Sequence, residues 1–411
     1  VDKINHEEVV KAESKLNRWI THNGLLGYDP FDLYSQVPLF RKIIYSKNKI
    51  KRLTISRLFS VSEMLFPLYL RKLFKVEKTI NAKGVALLGL GYLMRFKNFG
   101  LQSDKDKVYE LINWLWKNRC ENHPGASWGY PFDWQSRIFI PKGTPSIVVS
   151  YTVGEFFLQA YECFKDGPLL DKANQITVFI LNGLNRKEFP DGSCCFSYTP
   201  LDNFQVHNAN LFAAAFLARI GAVNHEQEII DLGVRAAKFA LNEIKADGSL
   251  NYWGNEQDLN EGFNDHYHVG FEIRSLLEVG LLADNTDIIK AANRYYEYYC
   301  QNFFHPVKGK LTPKMYPDRP FPIDIHAVAE SIILNTFLYL KEKKPSSLEL
   351  ANLSANWAIK NMQNASGSFA YTKFKIGLIE WNVRIPYLRW GQAWLFYALN
   401  FFLLTLKNEN K

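Results

Sequence analysis

The chain has 411 residues, 47% of them apolar and 15% aromatic, and a formal net charge of +8. That much apolar material can bury a large core, which excludes a disordered chain. The positive balance comes without an arginine-rich arm or zinc-finger spacing, so nucleic acid is not the expected partner and an anionic polymer is.

Five cysteines, Cys120, Cys163, Cys194, Cys195 and Cys300, are odd in number and unevenly spaced. That argues for reduced thiols rather than a disulfide framework. Val1 to Glu8 is charged and shows no secretory signal, so a cytoplasmic bacterial protein is expected. The apolar run Ala393 to Leu406 falls short of a membrane span and carries Asn400.

In chain order, residues 5–20 predict an amphipathic helix with Val9, Val10, Leu16, Trp19 and Ile20 on one side. Asn23 to Asp32 is a turn-rich loop, and 38–55 is basic (Arg41, Lys42, Lys47, Lys49, Lys51, Arg52), which reads as a solvated surface. Residues 21–59 form an irregular insertion. Helices are predicted near 81–97 and 105–118. The stretch from Cys120 to Pro145 holds Pro124, Pro131, Pro141 and Pro145, so it is neither helix nor strand. A loop this long inside a compact domain usually carries function.

From there one pattern repeats. A helix ends, a glycine turn follows (Gly125, Gly192, Gly248, Gly309, Gly367), then an aromatic stretch and a new apolar helix, about every 60 residues. The predicted pairs are 144–164 with 169–185, 206–220 with 226–244, 266–279 with 287–304, and 323–340 with 348–362. The first of each pair is apolar nearly all round, so it is buried; the second is one-sided, so it lies outside. A last inner helix at 388–406 lacks an outer partner, and the helix at 5–20 lacks an inner one. Pairing them closes a ring of six: an all-α, (α/α)6 toroid, as a single domain over residues 1–411. Every long loop then opens at one mouth, and inner-helix N-termini pointing there favour anions.

Equivalent positions at that mouth hold His207, His266, His268 and His326, each with polar neighbours such as Asn208, Asp265 and Asp324. Histidine can take or give a proton near neutrality. Tyr267 can act as the acid, and cations can neutralise a developing enolate. Candidate substrate contacts are His123, Trp128, Tyr130, Trp134, Arg137, Lys142, Tyr198, Asn208, Tyr252, Trp253, Arg319, Tyr371, Arg384, Tyr387, Arg389 and Trp390. This inventory suits proton abstraction beside a carboxylate, as in epimerisation or β-elimination of a uronic acid. Hydrolysis would need paired carboxylates, for which Asp133, Asp265 and Asp324 are candidates. A non-catalytic glycan-binding or assembly role is the third reading. No cofactor is expected. A zinc site at Asp265, His266 and His268 is disfavoured, since residues two apart on a helix do not share a face.

In its repeat and loop chemistry the chain resembles the (α/α)6 toroid carbohydrate enzymes. These include N-acylglucosamine 2-epimerase-like proteins, the helical domains of polysaccharide lyases and uronyl C5-epimerases, and six-hairpin glycosidases. Ser127-Trp-Gly-Tyr-Pro-Phe-Asp-Trp-Gln135, followed by Pro141-Lys-Gly-Thr-Pro145, resembles a bacterial family associated with surface-polysaccharide gene clusters. Asn264-Asp-His266-Tyr267 resembles the Asn-His-Tyr sets of toroid lyases, with Asp265 interposed. The resemblance implies an oligo- or polysaccharide substrate.

Overall fold

The computed structural model describes residues 6–40, 61–258, 264–307 and 310–409. The basic residues Arg41, Lys42, Lys47, Lys49, Lys51 and Arg52 and the turn residue Gly309 lie outside the described residues.

Among the described residues, twelve long helices alternate between an outer and an inner ring. They are α1 (His6–Asn23), α2 (Ala82–Phe99), α3 (Gln102–Lys117), α4 (Ile147–Phe164), α5 (Gly167–Gly183), α6 (His207–Asn224), α7 (Gln227–Glu243), α8 (His266–Leu282), α9 (Thr286–Asn302), α10 (Ile325–Glu342), α11 (Pro345–Met362) and α12 (Ala393–Glu409). The even-numbered helices pack side by side in sequence, and α12 returns to touch α2, so the inner ring closes. Outer α1 packs on inner α12, which joins the two ends of the chain into the sixth pair. The fold is an (α/α)6 toroid.

Composition sorts the helices between rings. Inner α6 buries residues on every side, from His207 through Phe216 to Gly221, because it meets neighbours all round. Outer α7 buries only Ile230, Gly233, Ala236, Ala237, Phe239 and Ala240 and turns its charges outward. Gly89 and Gly91 of α2 lie where a Cβ would meet Phe156 of α4 and Phe396 of α12, so they allow close approach of inner helices. No helix among the described residues is long and apolar enough to cross a membrane. The five cysteines are free thiols.

A second repeating element ties the mouth together. The first amides of an inner helix lack intrahelical acceptors. Here the loop of the next pair supplies one: the Ile147, His207, His266 and Ile325 amides donate to the carbonyls of Tyr198, Tyr252, Met315 and Tyr371, at 3.0–3.1 Å. Tyr198 and Tyr252 are thereby set at equivalent places on the rim. The loops also carry short antiparallel pairings. Trp134–Gln135 pairs with Phe139–Ile140 within the proline-rich loop expected to hold no strand, and Ile323–Asp324, Thr372–Ile376 and Ile379–Val383 form three strands ahead of α12. The expected helix start at Leu388 is a π-turn, Leu388–Gln392, which leads into α12.

Gly125 opens the proline-rich loop with φ +64°, and a Cβ there would lie 2.1 Å from the Gln175 carbonyl oxygen on α5. Gly125→Ala is therefore expected to cost about 1–3 kcal/mol, from left-handed strain plus the backbone clash. Chemical denaturation should show the loss with little change in slope.

Candidate functional site

At the mouth lies a cavity of about 180 Å³. The first two turns of the inner helices supply Lys83, Val148, Asn208, Tyr267, His268, Phe271 and His326, and the turn before α12 supplies Arg389 and Trp390. The loops add aromatic walls: Phe31, Tyr130, Phe132, Trp134, Tyr198 and Tyr252. Tyr130 stacks on Phe132 with centroids 5.1 Å apart, and Trp134 leans on Tyr198 at 5.4 Å.

Asp265 is the N-cap of α8 and has two tasks. Its Oδ1 accepts from the His268 amide at 3.0 Å, and its Oδ2 pairs with His268 Nδ1 at 2.7 Å. With the Nδ1 proton given to the carboxylate, Nε2 is left as the acceptor nitrogen of a side chain that lines the cavity. Asp324 is the equivalent cap of α10. It accepts from the His326 amide at 2.8 Å and from Trp390 Nε1 at 3.0 Å, and burial pushes its carboxyl up to about 7.

His326 lies in a sandwich of rings, parallel to Tyr267 at 4.5 Å and against Trp394 at 4.7 Å. Neither of its ring nitrogens has a hydrogen-bond partner among the described residues. Burial, together with nearby Lys83 and Arg389, holds it neutral, well below the usual histidine range. Burial likewise keeps the Tyr267 phenol protonated.

Lys83 was not singled out in the sequence. It is 3% exposed, and its ammonium makes no hydrogen bond or ion pair among the described residues. It rests 5.3 Å from the Trp394 ring centroid and 5.5 Å from that of Phe271. Burial first, then the neighbouring Arg389 charge, pushes it down to about 7. The available signal was a lysine in the first turn of a helix, Ala82-Lys-Gly-Val-Ala-Leu-Leu, that is otherwise apolar all round. Arg389 lines the same cavity, but Asp29 holds its charge in a bidentate pair at 2.6 and 2.8 Å. Asp29 and Phe31, both in the 23–32 loop, were also missed.

Several residues expected at the site lie elsewhere. His266 points outward, its ring held between the Tyr299 hydroxyl at 2.7 Å and the Lys314 carbonyl at 2.6 Å, and burial pushes it down to about 4. His207 pairs with Glu243 of α7 at 2.9 Å and stacks on Phe239. The cause is helical geometry: at about 100° per residue, positions 266 and 268 face opposite ways, so only one reaches the axis. Trp128 is buried, with its indole donating to the Leu115 carbonyl at 2.8 Å. Asp133 accepts from the Lys142 amide at 2.8 Å, while its own amide donates to Ser35, and it is not among the cavity-lining residues. Arg137 lies over Trp253 at 3.6 Å on the outer rim. His123, Lys142, Arg319 and Arg384 are exposed outside the cavity. Tyr371 and Tyr387 pack on each other in a satellite cluster, where Arg71 covers Tyr387.

The buried lysine has a thermodynamic consequence. Below pH 7 the folded and unfolded chains both carry the proton, and the folded state bears a buried charge. Between about 7 and the ordinary value of 10.5 the unfolded lysine holds a proton that the folded one has lost. Unfolding then takes up a proton, and stability rises with pH. The rise, on the order of a few kcal/mol, should appear in urea unfolding from about pH 6 to pH 10 as wild-type stability climbing relative to Lys83→Met, which carries no charge there, so that the advantage of the methionine variant at low pH shrinks as the pH rises.

The mouth and the ring define a member of the (α/α)6 toroid class with an aromatic, histidine-bearing axial cavity. Solved structures of that class match the chain over most of its length. A glycoside hydrolase family 76 mannosidase of Bacteroides thetaiotaomicron aligns over 98% of this chain and 100% of its own, with a TM-score of 0.62 and 12% identity. A cellobiose 2-epimerase of Bacillus thermoamylovorans aligns over 80% and 88%, with a TM-score of 0.57 and 10% identity. A D-mannose isomerase aligns over 80% and 87%, with a TM-score of 0.58 and 11% identity. No protein-family model matches the sequence. No curated protein matches it significantly in sequence.

Proposed function

We propose that this chain is a sugar-processing enzyme that removes a carbon-bound proton from an acidic saccharide, with His268 as the base. The observation that carries this reading is the Asp265–His268 pair on the wall of a cavity that also holds His326, with both ring nitrogens unpartnered, and the unpaired Lys83. A carboxylate orients the imidazole and leaves one basic nitrogen to face substrate, the usual arrangement for a positioned general base. Lys83 is the cation on the cavity wall that forms no ion pair among the described residues, so it can meet a substrate carboxylate or the enolate formed from it. The Tyr267 phenol and the His326 imidazole are protonated or neutral groups on the same wall, suited to return a proton. Tyrosine and tryptophan faces suit a sugar ring, and the cavity has room for about one.

Among the described residues no carboxylate lines the cavity. Asp265 and Asp324 are committed to caps and ring nitrogens, and Asp133 lies in the loop hairpin. This favours proton transfer over hydrolysis by paired carboxylates, which need an open span of about 6.5–9.5 Å between them. The epimerase and isomerase among the fold neighbours support the reading by analogy. A net charge of +8 fits an anionic saccharide, and five free thiols fit a reducing, cytoplasmic setting.

The test is incubation with uronic-acid oligosaccharides in heavy water. Deuterium at C5 of recovered sugar identifies an epimerase, and an ultraviolet-absorbing unsaturated product identifies a lyase. New reducing ends with neither signal would replace this reading with hydrolysis. Binding with none of the three would make the chain a glycan-binding protein.

A further inference from the structure

At the far end of the ring, where the C-terminal halves of the six inner helices converge, lies a second and larger cavity of about 590 Å³. It has two unlike walls. One is apolar: Ile333, Phe337 and Leu340 of α10 face Phe401 and Leu404 of α12. The other is charged and built around Arg219 of α6. Arg219 bonds Glu155 at 2.5 Å and chelates Glu162 at 2.8 Å, while Glu278 stands 3.8 Å away. One guanidinium thus serves three carboxylates.

Lys97, Arg274 and Lys341 also line the cavity and offset these carboxylates in formal charge, but none of them bonds Glu155 Oε1 or Glu278 among the described residues. Arg274 is committed to Glu330 at 2.6 Å, Lys97 lies on the Glu162 side, and Lys341 stands exposed at the rim over Phe337. Two acceptors are left over on the charged wall. Glu155, 8% exposed, has a buried Oε1 with no hydrogen-bond partner. Glu278 makes no hydrogen bond among the described residues and meets Arg219 only beyond hydrogen-bond distance. A buried carboxylate oxygen without a donor is costly, and a ligand donor relieves it. The ends of the inner helices add to the field: their C-termini present partial negative charge here, opposite in sign to the mouth.

We propose that this cavity is a second binding site, for an organic ammonium with an apolar body. The ammonium sits between Glu155 Oε1 and Glu278, and the apolar part lies on Phe337, Leu340 and Phe401. This site is separate from the mouth. The smaller cavity lined by Leu87, Phe212 and Trp394 measures only about 30 Å³, too little to pass a ligand, and His268 lines neither it nor the larger one.

The probe is n-hexylammonium chloride, titrated into the full chain by calorimetry, with sodium hexanoate as the charge-reversed control. Saturable binding of hexylammonium and none of hexanoate is expected. Glu278→Gln should weaken it about ten- to a hundredfold, the worth of a charged hydrogen bond. His268→Gln should leave it unchanged. Glu155→Gln should weaken it similarly; if that variant fails to fold for loss of the Arg219 pair, the partly exposed Glu278 still decides. Equal binding of hexanoate, wild-type affinity in Glu278→Gln, loss of binding in His268→Gln, or no binding at millimolar hexylammonium would each overturn the proposal.

Discussion

Replacing His268 with glutamine is expected to lower deuterium incorporation into substrate by about 10²–10⁴-fold, the usual contribution of a positioned general base. Glutamine keeps the side chain polar and of similar reach, so Asp265 still has a donor and the α8 cap, made through the His268 amide, survives. Circular dichroism and the unfolding midpoint should therefore change little while turnover falls. Asp265→Asn should fall in the same direction. An amide can present a donor to Nδ1, which favours the tautomer with its lone pair turned away from substrate. His266→Gln makes the contrast. That ring is held by Tyr299 and the Lys314 carbonyl outside the cavity, so its loss should appear in stability rather than in rate. Equal rates in wild type and His268→Gln would remove His268 from the chemistry.

Arg389→Met should give the largest loss of stability of the substitutions considered, about 3–5 kcal/mol, because it leaves Asp29 buried without its counter-charge. Both side chains are 4% exposed, and the pair is bidentate. The pair also spans 360 residues of sequence, holding the 23–32 loop to the turn before α12. Asp29 in turn accepts from the Phe31 amide at 3.2 Å, so its release should also loosen the Phe31 wall of the cavity. Combining Arg389→Met with Asp29→Asn should recover part of the loss, since two neutral groups no longer leave a stranded charge. Denaturant unfolding of the two single variants and the double variant measures this directly. An additive double variant would mean that the two side chains do not interact.

The ring was legible because it is written in a period. Inner helices must be apolar on every side and outer helices on one, so α6 and α7 announce their places through Ala213-Ala-Ala-Phe-Leu-Ala218 on one hand and a one-sided charge pattern on the other. Closure followed from the unpaired ends at 5–20 and 388–406, which meet as α1 and α12. The aromatic loops were legible as the mouth for the same reason: each follows a glycine turn at the end of an outer helix. Gly125, Gly192, Gly248 and Gly367 all take the left-handed conformation that such a turn requires.

The roles of single side chains at that mouth were a different matter. Four histidines lie at equivalent distances from the glycine turns, yet only His268 and His326 face the axis. The loop distance locates a helix start only to within a residue or two, while each residue turns the side chain by about 100°. His266 and His207 fall on the wrong side of that uncertainty. Lys83 and Arg389 show the complementary case. By themselves they are an ordinary lysine and an ordinary arginine. Lys83 becomes a candidate partner for a substrate anion only because inner helices wall it off from water without an ion pair among the described residues. Arg389 loses its free charge only because a loop some 360 residues earlier in the chain brings Asp29 against it. The sequence by itself determined the repeat, the alternation of rings and the end at which loops gather, since these depend on local periodicity. Which side chains are stranded, paired or turned to the axis was decided by tertiary structure, because burial and charge pairing depend on residues far apart in the chain.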